Sequence, residues 1–76
     1  MFLNDAQTGK TYRVEDFHLP LLLERRLEAL GMTRETPVRV INRKGKGILI
    51  VKVRGSRFAL GENITRNISA SEVCNG

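Results

Sequence analysis

The chain has too few aromatic residues for a large aromatic core and too few cysteines for a disulfide framework. Its 76 residues include no tryptophan, one tyrosine, three phenylalanines and one cysteine. At this length one domain fits, and folding buries only about 60% of the surface of the unfolded chain. Aliphatic residues must therefore fill the core. Cys74 has no second cysteine for an internal disulfide, which favours a reducing cytoplasm over secretion.

Long hydrophobic runs are absent as well. Leu19–Leu23 is interrupted by Pro20 and followed by charges, so it is far shorter than the roughly 18 residues that a membrane span needs. The first five residues carry neither the basic region nor the apolar run of a signal peptide. The sequence predicts a soluble cytoplasmic protein that does not itself insert into a membrane.

Residues for metal binding or catalysis are sparse. An iron site needs several converging His, Cys, Asp or Glu side chains, but His18 and Cys74 are single and far apart in the sequence. Asp16 lies near His18, yet no Ser or Cys is placed to join them. Gly45–Gly47 lacks the spacing of a phosphate-binding loop. We therefore expect no metal site, no cofactor and no enzymatic activity.

The strongest structural pattern is the stretch Ile48–Leu60. Its first half alternates with a period of two, which predicts a β-strand with one side turned to a core. The core-facing residues would be Leu49, Val51 and Val53. Gly55-Ser56 predicts a tight turn, after which Phe58 and Leu60 resume the alternation on a second strand.

Shorter strands are predicted around this hairpin. The expected elements are a first strand through Tyr12 and Val14, a second strand Val38–Asn42, a short helical piece at Ile64 and a last strand Asn67–Ser69. Five short strands and one helix predict a small, mostly β protein, a closed or nearly closed antiparallel barrel. We expect residues 70–76 to form a frayed tail.

One helix is expected between the first two strands. Pro20 fits its first position, where the missing N–H is no loss. Its apolar stripe would be Leu23, Leu27 and Leu30. Gly31 would end the helix in a left-handed conformation, with Met32 in contact with Leu27, as in a Schellman motif.

Structural roles are assigned from these patterns. The residues predicted to form the core are Leu27, Leu30, Val38, Val40, Leu49, Val51, Val53, Phe58, Leu60 and Ile68. Gly31 and Gly55 are predicted to occupy turns that a side chain would strain.

Positive charge is concentrated in one part of the chain. The formal net charge is +5, and Arg39–Arg57 contains seven basic residues and no acidic one. Aliphatic residues on the outward parity of the same strands predict a contact patch for an acidic partner. The predicted partner-binding residues are Arg39, Ile41, Arg43, Lys44, Lys46, Ile48, Ile50, Lys52 and Arg54.

The basic stretch is also compatible with roles that involve no acidic protein partner. The charges could serve solubility alone, the helix or the tail could cover the aliphatic residues, or the apolar edge could make a homo-oligomer. Binding of RNA or DNA is a further alternative. It is disfavoured because single-strand recognition usually needs aromatic platforms among the charges.

Three segments together resemble one known family. They are R-R-L-E-A-L-G-M at Arg25–Met32, V-R-V at Val38–Val40 and V-R-G-S-R-F-A-L at Val53–Leu60. In this order and spacing the chain resembles ferrous iron transport protein A, the FeoA family, over roughly residues 7–69. Arg34-Glu35 departs from the Pro-Gly that the family tends to have there, and Thr65 replaces a small apolar residue.

The resemblance implies a fold and a function. The implied fold is an SH3-like barrel with a helix inserted after the first strand. The implied function is that of a non-catalytic adaptor in bacterial ferrous iron uptake. Its partner would be a membrane permease with a cytosolic GTP-binding domain, which could hold the protein at the inner face of the membrane.

Overall fold

The computed structural model describes residues 1–45 and 47–73, which form five strands and two helices. The strands are β1 Thr11–Phe17, β2 Pro37–Lys44, β3 Ile48–Val53, β4 Ser56–Leu60 and β5 Ile68–Glu72. Helix α1 spans Leu21–Ala29 between β1 and β2, and α2 spans Glu62–Thr65 between β4 and β5. A 3₁₀ turn at Leu3–Asp5 precedes β1. The predicted mostly β fold with a helix after the first strand is confirmed.

The strands form one antiparallel sheet in the order β4-β3-β2-β1-β5. The last strand pairs with the first through Phe17↔Ile68 and Val14↔Ala70. The sheet is not a closed barrel, because β4 and β5 lie at opposite edges and are joined by α2 rather than by a hairpin. Within residues 1–45 and 47–73, closure by pairing of these edges does not occur.

The β3–β4 turn lies one residue earlier than predicted. Val53 pairs with Ser56, so Arg54 and Gly55 are the two turn residues. Their φ angles are 51° and 85°, and a type I′ turn requires positive φ at both positions. Ser56 therefore starts β4 instead of completing the turn.

The core lies on the inner side of the sheet, where most of the predicted residues are buried. They are Leu27, Val38, Val40, Leu49, Val51, Val53, Leu60 and Ile68. Phe58 is only half-buried and packs against this cluster. The core also contains residues outside the predicted core set, namely Leu3, Ala6, Tyr12, Val14, Phe17, Met32 and Ala70.

Helix α1 ends in the predicted Schellman motif. The Met32 N–H donates to the Leu27 carbonyl and the Gly31 N–H to the Glu28 carbonyl, both at 2.9 Å. Gly31 has a φ of 97°. This pair of hydrogen bonds satisfies carbonyls that the end of a helix would otherwise leave without partners.

Two details of α1 differ from the prediction. Pro20 is the residue before the helix rather than its first residue. Leu30 is the C-cap and is 55% exposed, so its assignment to the core was wrong. The reason is that the chain turns away at Gly31, which leaves Leu27 as the buried residue of the helix.

The C-terminal segment is ordered further than predicted. Ala70 is fully buried within β5, and its N–H donates to the Met1 carbonyl at 2.7 Å. The Val73 N–H donates to the Thr11 carbonyl at 2.9 Å. The expected frayed tail is therefore wrong for residues 70–73, and Cys74 lies outside the described residues. Neither described helix has the length and apolar character needed to cross a membrane.

Candidate functional site: a basic strand face

Three cations stand side by side across the outer side of the sheet. Arg39 of β2 pairs with Lys52 of β3, and Lys52 pairs with Arg57 of β4. Directly paired residues of neighbouring strands point to the same side of a sheet, so the three side chains form one row. All three are exposed. We call this row the cation row.

Ile48, Ile50 and Ala59 lie on the same side of the sheet as the cation row, and we call these three residues the apolar row. Ile50 pairs with Ala59 on one side and with Asn42 on the other, and Ile48 pairs with Lys44. Ile50 is half-buried, and Ile48 is 42% exposed. The basic strand face is defined here as Arg39, Lys44, Ile48, Ile50, Lys52, Arg57 and Ala59. It combines apolar area with cations at its margin, the composition of a protein contact patch.

No acidic side chain among the described residues forms an ion pair with the cation row. Among the described residues, ion pairs occur only between Lys10 and Glu72, Arg34 and Asp16, and Arg66 and Glu62. Like charges that are directly opposite each other on neighbouring strands destabilise a sheet. An anionic group bound over the row would relieve this repulsion.

Other predicted site residues have roles inside the chain. Arg43 pairs with Leu49, whose side chain faces the core, and its Nη2 donates to the carbonyls of Asn4 and Ala6 at 2.7 and 3.0 Å. These bonds hold the segment that carries the fully buried Leu3. Arg43 thus ties the N-terminal segment to β2 and is not available as a free cation.

Arg54 is also engaged within the chain. It occupies the β3–β4 turn, and its Nε donates to the Gly31 carbonyl at 3.1 Å. Ile41 is half-buried at a register shift between Val40 and Asn42 and has no direct partner on β3. Lys46 lies outside the described residues.

Sequence reasoning missed Arg57 and Ala59 as members of the face. Both lie on the outward parity of β4, beside Lys52 and Ile50. Counting back from the two-residue turn would have paired them with those residues. The shift of the predicted turn by one residue hid this relation.

The groups considered for catalysis lie apart from the basic strand face. The Nε2 atom of His18 is 2.8 Å from the Ser69 hydroxyl, and its ring meets the Phe2 ring edge-on at 6.0 Å between centroids. Asp16 instead accepts from the Phe17 N–H and from Arg34. No group of three or more His, Cys, Asp or Glu side chains suited to a metal ion occurs in the described part of the chain.

Comparison with known proteins identifies the family. The family model described as the FeoA domain matches residues 1–72. A search of curated proteins found no match. Among solved structures, FeoA of Chlorobium tepidum is 21% identical with a TM-score of 0.91, over 100% of this chain and 73% of that one.

Two further structures share the fold. A zinc complex of FeoA from Stenotrophomonas maltophilia is 25% identical with a TM-score of 0.78, over 93% of this chain and 89% of that one. That protein is described as a procaryotic SH3 domain protein proposed to activate ferrous iron transport. A manganese-dependent transcriptional repressor is 21% identical with a TM-score of 0.81, over 96% of this chain and 41% of that one. Because the FeoA model matches nearly the whole length, the chain belongs to the FeoA domain family.

Proposed function

We propose that this protein is a non-catalytic accessory protein of bacterial ferrous iron uptake. In this role it binds the cytosolic GTP-binding part of a membrane ferrous iron permease and regulates it. Membership of the FeoA family supports the assignment to ferrous iron uptake. The observation that carries the mode of action is the cation row beside the apolar row on an outer face of the sheet.

The composition of the basic strand face favours a protein partner. Ile48 and Ile50 supply apolar area, which contributes affinity when it is removed from water. The cations Arg39, Lys52 and Arg57 would accelerate encounter with an acidic surface and orient it. This part of the proposal therefore predicts binding that weakens as salt rises.

The proposal is tested by measuring the affinity for the isolated GTP-binding domain by calorimetry. Ile48→Glu and Ile50→Glu should each weaken binding by about tenfold or more, because each places a carboxylate in the apolar row. Circular dichroism of each variant checks that the fold is retained. Ile48→Glu is the safer of the two because Ile48 is more exposed.

A matched control lies on the helix. Leu22 is 66% exposed on α1, and Leu22→Glu makes a comparable change at an exposed apolar residue away from the basic strand face. It should leave the affinity unchanged. If Ile48→Glu leaves the affinity unchanged and Leu22→Glu weakens it, the contact lies on α1 and the proposed face is refuted.

A further inference from the structure

The two edge strands of the sheet, β4 and β5, differ in whether another segment of the chain covers them. At the β5 edge, Phe2 forms a bridge with Ser69, and the Ala70 N–H donates to the Met1 carbonyl. The N-terminal segment therefore covers part of that edge. At the other edge, among residues 1–45 and 47–73, β4 pairs with β3 alone.

The register shows which backbone groups face outward from β4. Val53 and Ser56 close the two-residue turn and exchange hydrogen bonds, and antiparallel pairs alternate between bonded and non-bonded types. Arg57 and Ala59 therefore belong to non-bonded pairs, and their N–H and C=O groups point away from β3. Backbone hydrogen bonds from these groups to other described segments do not occur.

The cation row ends at this same edge. A strand added beside β4 would place one side chain directly next to Arg57, in line with Lys52 and Arg39. A carboxylate there would complete the row with an opposite charge. The residue two positions along the added strand would lie next to Ala59, beside the apolar row.

We propose that β4 takes up an extended acidic segment of a partner protein as a sixth strand, with an acidic residue next to Arg57 and an apolar residue next to Ala59. This specifies how the basic strand face engages its partner and rests on the proposed function. Backbone hydrogen bonds to Arg57 and Ala59 would supply affinity, and the cation row would select for acidic sequences.

A second copy of the chain fits this edge poorly. Pairing two β4 strands would bring both copies of Arg57 onto one face, opposite or diagonal to each other. A charged residue on an edge strand is a common guard against such pairing. An acidic segment removes this repulsion and is therefore the favoured occupant.

The test uses a blocked peptide, Thr-Glu-Thr-Val-Thr-Glu-Thr, and the isotope-labelled chain. On saturation, hydrogen exchange of the Arg57 and Ala59 amides should slow by about tenfold or more, because both donors become bonded. A peptide with N-methyl groups on the edge that faces β4 keeps its charge but loses strand pairing. Its affinity should fall by about tenfold or more.

A protein variant provides the complementary change. Ala59→Pro removes the outward N–H while sparing the β3–β4 ladder, since proline is tolerated where an edge N–H faces solvent. It should weaken peptide binding by about fivefold or more. The N-methylated peptide keeps the test valid should this variant unfold.

The outcomes separate this inference from the proposed function. Equal affinity of the plain and N-methylated peptides would show binding by charge alone and would overturn the sixth strand, while binding of the GTP-binding domain to the face could still stand. Slowed exchange at Arg57 and Ala59 on raising the protein concentration, without peptide, would identify a second copy as the occupant and overturn the proposal. If the plain peptide binds more tightly than the N-methylated one but the GTP-binding domain does not bind the chain, the sixth strand stands and only the choice of partner is refuted.

Discussion

The sheet and helix α1 place their apolar residues differently. In β3, Leu49, Val51 and Val53 are almost fully buried, as their alternation predicts. In α1, Leu27 is buried, but Leu21 and Leu22 are 61% and 66% exposed. Neighbouring strands fix which side of β3 faces the core, whereas a helix of two to three turns contacts the sheet along a narrow stripe. Leucine content alone therefore does not locate the core in the helix.

The same contrast appears among the cations of β2. Arg43 donates to the carbonyls of Asn4 and Ala6, whereas Arg39 lies in the exposed cation row. Both belong to one basic stretch of the sequence. Their roles differ because the register shift after Val40 turns the Arg43 side chain toward the N-terminal segment.

The largest expected effect concerns the leucines of the helix. Leu27→Ala should destabilise the protein by about 2–5 kcal/mol, because it leaves a cavity where α1 packs on the core. Leu30→Ala, at the exposed C-cap, should change stability by about 0.5 kcal/mol or less. Urea denaturation followed by circular dichroism measures both. A cost for Leu30→Ala equal to that for Leu27→Ala would contradict the assignment of the buried stripe.

A smaller effect is expected for the arginines of β2. Arg43→Ala should cost about 1.5–3 kcal/mol, since charged hydrogen bonds to two carbonyls are lost. Arg39→Ala should lie within about 0.5 kcal/mol of the parent or slightly stabilise it by relieving the cation row.

The readout for this pair is chemical denaturation combined with amide exchange near the N-terminus. Exchange in the segment that carries Leu3 should accelerate in Arg43→Ala and stay unchanged in Arg39→Ala. Equal stability and exchange in the two variants would show that Arg43 does not anchor that segment.

The smallest expected effect is a gain in stability at Glu35. This residue has a φ of 67°, which is costly for any residue with a Cβ. Glu35→Gly should stabilise the protein by about 0.5–1 kcal/mol after the entropic cost of glycine is subtracted.

Glu35→Ala is the matched control, because it removes the carboxylate but keeps the Cβ. It should show no comparable gain in a thermal melt. A gain of the same size in both variants would attribute the effect to the charge rather than to the backbone.

Much of the fold was predictable from short-range patterns. The period-two alternation located β3 and β4, and the glycine after the leucines located the Schellman ending at Gly31. These features depend on neighbours in the sequence. The 3₁₀ turn with buried Leu3 was not predicted, because it is held by Arg43 and Thr65 from distant parts of the chain.

The candidate site was predictable only in part. Parity placed Ile48, Ile50 and Lys52 on the outer face, where the structure has them. The contributions of Arg57 and Ala59 required the register across the turn. The engagement of Arg43 required knowledge of a bulge in β2 that the sequence pattern does not mark.

The most direct test of the proposed function is an NMR titration of the isotope-labelled chain with the cytosolic GTP-binding domain of the permease at moderate salt. The proposal predicts shifts that cluster on Ile48, Ile50, Lys52 and Arg57, with the amides of Leu21 and Leu22 unchanged. Shifts confined to α1, or no shifts at domain concentrations well above those of the chain, would contradict it.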